Sequence, residues 1–161
     1  MTISPDDRGA EQRALFRRWP TGVSVVVAEF EGRRAGLTVN SLVSLSLEPP
    51  LVGISLAITA SLYEVLREAG EWAVSILAGD QDHLAQHFAR SIPPIAQWDG
   101  IDVRDSDPRL LAGAVGWLRV RTVEEVAAGD HTVFVGSVEG LEHGPGRGAL
   151  VYFGSTYHDA L

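Results

Sequence analysis

Across residues 36–50 the chain alternates apolar and polar side chains with a period of two, the mark of a half-buried strand. Leu37, Val39, Val43, Leu45 and Leu47 fall on one face, and Thr38, Asn40, Ser44 and Ser46 on the other. The polar members are all short hydrogen-bonding groups without charge. The phase breaks once. Ser41 is polar where an apolar residue is due and Leu42 is the reverse, which predicts a bulge or a change of direction over residues 40–42. A surface of this kind suits a flat polar ligand better than a metal or a nucleic acid. A solvated strand face rich in Ser and Thr accounts for the stretch equally well.

The rest of the pattern surrounds this stretch with more strands. Residues 11–19 read as a helix that stops before Pro20, because the residue preceding a proline disfavours the helical region. Residues 22–28 are a β-branched run, and Glu31-Gly32 is a turn signal, so this part predicts antiparallel hairpins. Residues 50–56 read as a further, largely buried strand. Residues 62–69 predict a helix closed by Gly70 at its C-cap, and residues 72–77 a strand. Residues 80–90 predict another helix, with Asp80 as N-cap and Leu84, His87 and Phe88 on one face. Residues 91–107, with Pro93-Pro94, Trp98 and several aspartates, form the one long irregular segment, and such loops are often functional. Strands are expected again at residues 116–126, 131–141 and 150–153. The absence of a regular βαβ alternation predicts a mainly β fold, an antiparallel β-barrel with inserted helices, rather than a doubly wound sheet.

Composition narrows the chemistry. The 161 residues are expected to form a single domain, 1–161. A net charge of −8 with scattered acidic residues gives no footprint for nucleic acid. There are no cysteines, which removes disulfides, thiolate metal sites and cysteine nucleophiles. All 13 basic side chains are arginine, which removes a lysine Schiff base. No apolar run approaches a membrane span, and residues 1–12 are polar and acidic rather than signal-like, so a cytoplasmic setting is expected. Dinucleotide, phosphate-loop, G-x-S-x-G and H-E-x-x-H motifs are absent. The glycine-rich residues 144–148 precede a strand and read as a turn. His83 and His87 have two-histidine metal spacing but no third ligand stands out, so no metal is predicted.

Two other places are candidates. Thr59, Ala60 and Ser61 lie where a strand gives way to a helix, a position favourable for a phosphate and equally explained as a plain helix cap. His131 sits in Gly129-Asp130-His131-Thr132, at a turn before a strong β run. It reads as a ligand contact or as an edge histidine with equal force.

Taken together, Trp19-Pro20-Thr21-Gly22-Val23, Gly36-Leu37-Thr38-Val39-Asn40-Ser41, Ser44-Leu45-Ser46-Leu47-Glu48-Pro49-Pro50-Leu51, Gly129-Asp130-His131-Thr132 and the terminal Tyr152-Phe153 with Tyr157 resemble the flavin reductase family. The resemblance covers residues 15–157 and rests on the order and spacing of these segments. It implies the FMN-binding split β-barrel and a homodimer with flavin near the subunit interface. Thr38, Val39, Asn40, Ser41 and Ser44 would line the isoalloxazine and ribityl chain. Thr59, Ala60 and Ser61 would lie at the flavin phosphate, and Phe88, Ala89 and Arg90 near the outer part of the flavin. His131 would be the catalytic residue, facing the nicotinamide or the flavin edge, and Tyr152 and Tyr157 would close the site. NADH or NADPH would give a hydride to FMN or FAD, and the reduced flavin would pass to a partner flavin-dependent monooxygenase. The flavin carries the chemistry, so no side-chain nucleophile is required. One departure stands out. The family usually has a polar, often arginine-containing segment where this chain has Ala57-Ile58-Thr59-Ala60-Ser61-Leu62. The phosphate would then rest on backbone N–H groups, Thr59 and Ser61. The same departure motivates a second expectation, a non-catalytic protein on this fold that holds flavin or another flat cofactor. A third is an oxidase acting on a small organic substrate with bound flavin.

Overall fold

The computed structural model describes residues 5–160; residues 1–4 of the polar lead lie outside it. Helix α1 (Arg8–Phe16) is followed by β1 (Thr21–Gly22), β2 (Ser24–Phe30), β3 (Arg33–Val39), β4 (Val43–Leu47) and β5 (Pro50–Ala57). Helix α2 (Ser61–Ala69), β6 (Glu71–Ile76) and α3 (Asp82–Phe88) come next. The chain ends with β7 (Val103–Arg104), β8 (Asp107–Leu111), β9 (Gly116–Ala128), β10 (His131–His143), β11 (Ala149–Phe153) and β12 (Thr156–Ala160).

Seven strands form one antiparallel sheet in the order β3-β2-β6-β9-β10-β5-β4. The fold is mainly β and antiparallel, as the pattern predicts, but the expected barrel is not closed. β3 and β4 remain the two edges even though they are consecutive in the chain. The turn at residues 40–42 carries the chain from one edge to the other, and β4 makes its ladder with β5 instead of β3. Beside this sheet stands a smaller one, β1-β11-β12, and a separate β7–β8 hairpin.

β2 explains how the layers pack. Val26 and Ala28 face one core with Ile54, Leu56, Trp72 and Phe134, covered by Leu62, Val65 and Leu66 of α2. Val23, Val25 and Val27 face a second core with Leu84, Ala85 and Phe88 of α3 and Leu150 of β11. Burial on both faces is why this segment reads as a continuous apolar run rather than an alternating one. Helix α2 buries residues at i, i+3 and i+4 spacing and stops at Gly70, whose φ of 66° and amide bond to the Leu66 carbonyl (2.9 Å) complete a left-handed cap.

Three expectations shift. α3 begins at Asp82 with Gln81, not Asp80, as its cap residue, because the Gln81 side chain is buried and fixed by the Ala78 N–H (3.0 Å) and the Ala112 carbonyl (2.8 Å). The long loop is shorter than expected, since its end pairs into β7–β8. It is also anchored: the Gln97 carboxamide accepts a bond from the Gly36 N–H (2.9 Å) and donates to the Gly36 carbonyl (2.8 Å) on the free side of β3. Finally, the apolar face of β4 is not buried within the protomer. Val43, Leu45 and Leu47 are 47, 48 and 87% exposed.

Candidate functional site

The C-terminal end of β3 opens into a cavity of about 310 Å³ lined by Val23, Thr38, Val39, Asn40, Ala89, Tyr152 and Tyr157. Each wall has its own origin. Thr38 is fixed by donating its hydroxyl to the Ala85 carbonyl at 2.7 Å, which ties α3 to β3 and brings Ala89 to the rim. Tyr152 and Tyr157 are directly opposite in the β11–β12 ladder, so their rings share a face, with centroids 5.2 Å apart and planes at 50°. Burial, and then the neighbouring Tyr152, raises the pKa of Tyr157 above its ordinary value. Thr21 is the ladder partner of Tyr152, and its Oγ1 is buried without a hydrogen-bond partner among the described residues.

The second neighbourhood lies across the seam of the sheet. His131 is opposite Ala57 in the β5–β10 ladder, and the Ile58 N–H donates to the Asp130 carbonyl at 3.1 Å. The turn bearing His131 therefore sits against the segment that leads into α2. His131 Nδ1 is 2.7 Å from Asp130 Oδ1. That hydrogen bond, followed by the charge of His131, holds the Asp130 carboxyl below its ordinary value, with a smaller contribution from Arg13 of α1. Helix α2 starts after Ala60 with no side-chain cap; the Ala60 and Tyr63 N–H groups donate to the Ala57 and Ala60 carbonyls at 3.0 Å, and those of Ser61 and Leu62 are the ones a ligand could take. The buried Tyr63 hydroxyl and Thr132 Oγ1, 2.9 Å apart, lock this helix to the strand that carries His131.

The predicted site residues thus fall into groups. Thr38, Val39, Asn40, Ala89, Tyr152 and Tyr157 meet in one cavity. Thr59, Ala60, Ser61 and His131 gather at the adjacent strand mouth. Ser41 stands between them, bonded to the Ser55 backbone. Three predicted residues, Phe88, Ser44 and Arg90, belong neither to the cavity lining nor to the strand mouth. Phe88 is fully buried, because α3 turns Leu84, Ala85 and Phe88 inward, and a Cβ on Gly36 would lie 2.8 Å from its ring. Ser44 is exposed on β4, opposite Val52. Arg90 is exposed just beyond α3. His87 is committed elsewhere, its Nε2 lying 2.7 Å from the Gln97 carbonyl oxygen. Val23 and Thr21 stand in residues 19–23, one of the segments that carry the resemblance, but were not expected at the site: the apolar run around Val23 gives a core signal, and the pairing of Thr21 with Tyr152 joins segments far apart in the chain.

These walls fit a flavin ring. They combine two tyrosine rings with short uncharged polar groups, and among the described residues there is no cluster of three metal-ligating side chains. The family model described as flavin reductase like domain matches residues 16–161. The chain is 36% identical to an NADH-dependent FAD reductase of Streptomyces globisporus over 160 residues, covering 96% of this chain and 87% of that one. It is 38% identical to the reductase component of 4-hydroxyphenylacetate 3-monooxygenase from Thermus thermophilus, covering 90% and 92%. The solved structure of the Streptomyces globisporus C-1027 NADH:FAD oxidoreductase SgcE6 superposes with a TM-score of 0.89 at 33% identity, covering 100% of this chain and 98% of that one.

Proposed function

The chain belongs to the flavin reductase family, and we infer that it is an NAD(P)H-dependent flavin reductase that supplies reduced FMN or FAD to a partner monooxygenase. The observation that carries this reading is the cavity in which Thr38, Val39 and Asn40 face Tyr152 and Tyr157 at the seam of the sheet. When bound, the flavin supplies the hydride acceptor. The side chains have only to hold two ring systems in contact and keep water away, a task of orientation rather than covalent catalysis.

In this reading the cavity residues take the ring, and Thr59, Ala60, Ser61 and the open start of α2 take the phosphate. His131 faces the nicotinamide, its Nδ1 occupied by Asp130 and its Nε2 left for the ligand. Arg90 extends over the outer part of the flavin. We further propose a homodimer. The exposed apolar residues of edge strand β4, and Leu15, Phe16 and Trp19 of the α1 region, are surfaces that a lone protomer would leave in water. The protein works as one domain in the cytoplasm, where its soluble hydride donor is found. No helix among the described residues is long and apolar enough to cross a membrane.

Anaerobic mixing of the protein with FMN or FAD and NADH or NADPH is expected to bleach the visible flavin band with turnover. Absence of turnover with every pairing overturns the reading, and tight flavin retention without turnover would identify a binding protein on this fold instead.

A further inference from the structure

The two edges of the main sheet belong to strands joined by only three residues, yet no backbone ladder crosses between them. The register of β4 on β5 ends at Val43 opposite Gly53. Continued by two residues, it brings Ser41 opposite Ser55. At that point the backbone of residues 40–42 has turned toward β3, and the pairing is made by a side chain. Ser41 Oγ donates to the Ser55 carbonyl at 3.1 Å and accepts from the Ser55 N–H at 3.0 Å. One hydroxyl stands in for the missing ladder pair, using its only proton and one of its two lone pairs.

We propose that Ser41 is a positioning residue for flavin binding: its hydroxyl pins residues 40–42 to β5 and so fixes Asn40 in the cavity wall, without itself being a ring contact. The proposal rests on the flavin reading above. Its geometry is specific. Asn40 lines the cavity and is exposed, and its neighbour in the chain is clamped at both a donor and an acceptor of the opposing strand. On the far side of the same clamp β5 runs two further residues to Ala57, opposite His131, about 7 Å along the strand. The clamp therefore sets the spacing between the ring wall and the strand mouth. A side chain that touched the reacting ring would affect turnover of bound flavin. One that only holds the wall would affect how tightly flavin is held.

The test compares Ser41→Ala, Ser41→Thr and Ser41→Cys with the unaltered full chain. The measurements are the Kd for FMN and FAD, kcat with NADH at saturating flavin, and amide hydrogen exchange at Ser55 in the absence of flavin. Ser41→Ala is expected to weaken flavin binding about tenfold, leave kcat at saturating flavin within about twofold, and speed exchange at Ser55. Ser41→Thr, which keeps the hydroxyl, restores all three. An unchanged Kd in Ser41→Ala, or failure of Ser41→Thr to restore it, overturns the proposal. A fall in kcat as large as the loss of affinity does so too. If Ser41→Ala does not fold, Ser41→Cys, a weak donor and acceptor, must show an intermediate loss, and a Cys variant equal to the unaltered protein sinks the idea. The exchange measurement needs no flavin. An intact clamp in a protein that neither binds nor reduces flavin therefore condemns the functional reading, whereas an active protein indifferent to Ser41→Ala condemns only the role given to Ser41.

Discussion

His131 has 43% of its side chain exposed, with one ring nitrogen engaged by Asp130 at 2.7 Å. In the proposed reading this leaves Nε2 free to align the hydride donor. His131→Ala is expected to lower kcat/KM for NADH roughly 10- to 100-fold while flavin Kd changes less than about threefold. Stopped-flow reduction and flavin titration together check this, and equal losses in both would remove His131 from the role. At this scale the sequence was informative where chemistry is local. Thr38 and Asn40 stand out by type and phase, Tyr152 and Tyr157 enter only through the family resemblance, and the four meet in one cavity. It was silent where burial decides. The resemblance puts Phe88 near the outer part of the flavin, but its ring lies in the core with Leu84 and against Gly36. The phase break at Ser41 announced a turn without saying that the hydroxyl would be taken by Ser55.

Among elements, β8 and β9 are joined by charge as well as by the chain. Asp107 accepts from Arg109 at 3.0 and 2.9 Å and from Arg119 at 3.2 Å, and Arg119 also reaches Glu142 on β10 at 3.0 Å. Burial opposes the charge on Asp107, but the bonds from Arg109 and then Arg119 outweigh it, and its carboxyl titrates below its ordinary 3.8. A folded-state pKa below the unfolded one stabilises the fold at pH above the unfolded value, and that contribution disappears as pH falls through the folded value. Asp107→Asn should therefore cost about 2–3 kcal/mol at neutral pH, and the gap from the unaltered protein should close below about pH 4. Urea unfolding across pH measures it, and a constant gap would contradict the assignment. This network was invisible in the sequence because its partners come from three strands. β12 was missed for a simpler reason: Thr156–Ala160 is polar apart from Tyr157 and the small Ala160, and shows no apolar alternation. The long β9 and β10, by contrast, announced themselves through β-branched runs and the Gly129-Asp130 turn.

At the level of the whole molecule, the direction of the apolar face of β4 was the largest surprise. Alternation correctly marks Val43, Leu45 and Leu47 as one face, but periodicity cannot say whether the surface that covers a face belongs to the same chain. Replacing Leu45 and Leu47 together by Glu is expected to leave a folded protein that sediments as a monomer and retains flavin poorly. Sedimentation velocity with circular dichroism checks this, and an unaltered protein that is itself monomeric would end the homodimer reading. The other edge of the sheet is treated differently. An open strand edge invites any extended chain to add itself in register, including the same segment of another copy. On β3 that place is already occupied, because the Gln97 carboxamide binds the very N–H and C=O of Gly36 that an incoming chain would need. That carboxamide, delivered by a loop from 61 residues away and joined by the Trp98 Nε1 bond to the Arg34 carbonyl (3.0 Å), leaves an incoming strand no free pair of groups at Gly36, two residues from the cavity residue Thr38.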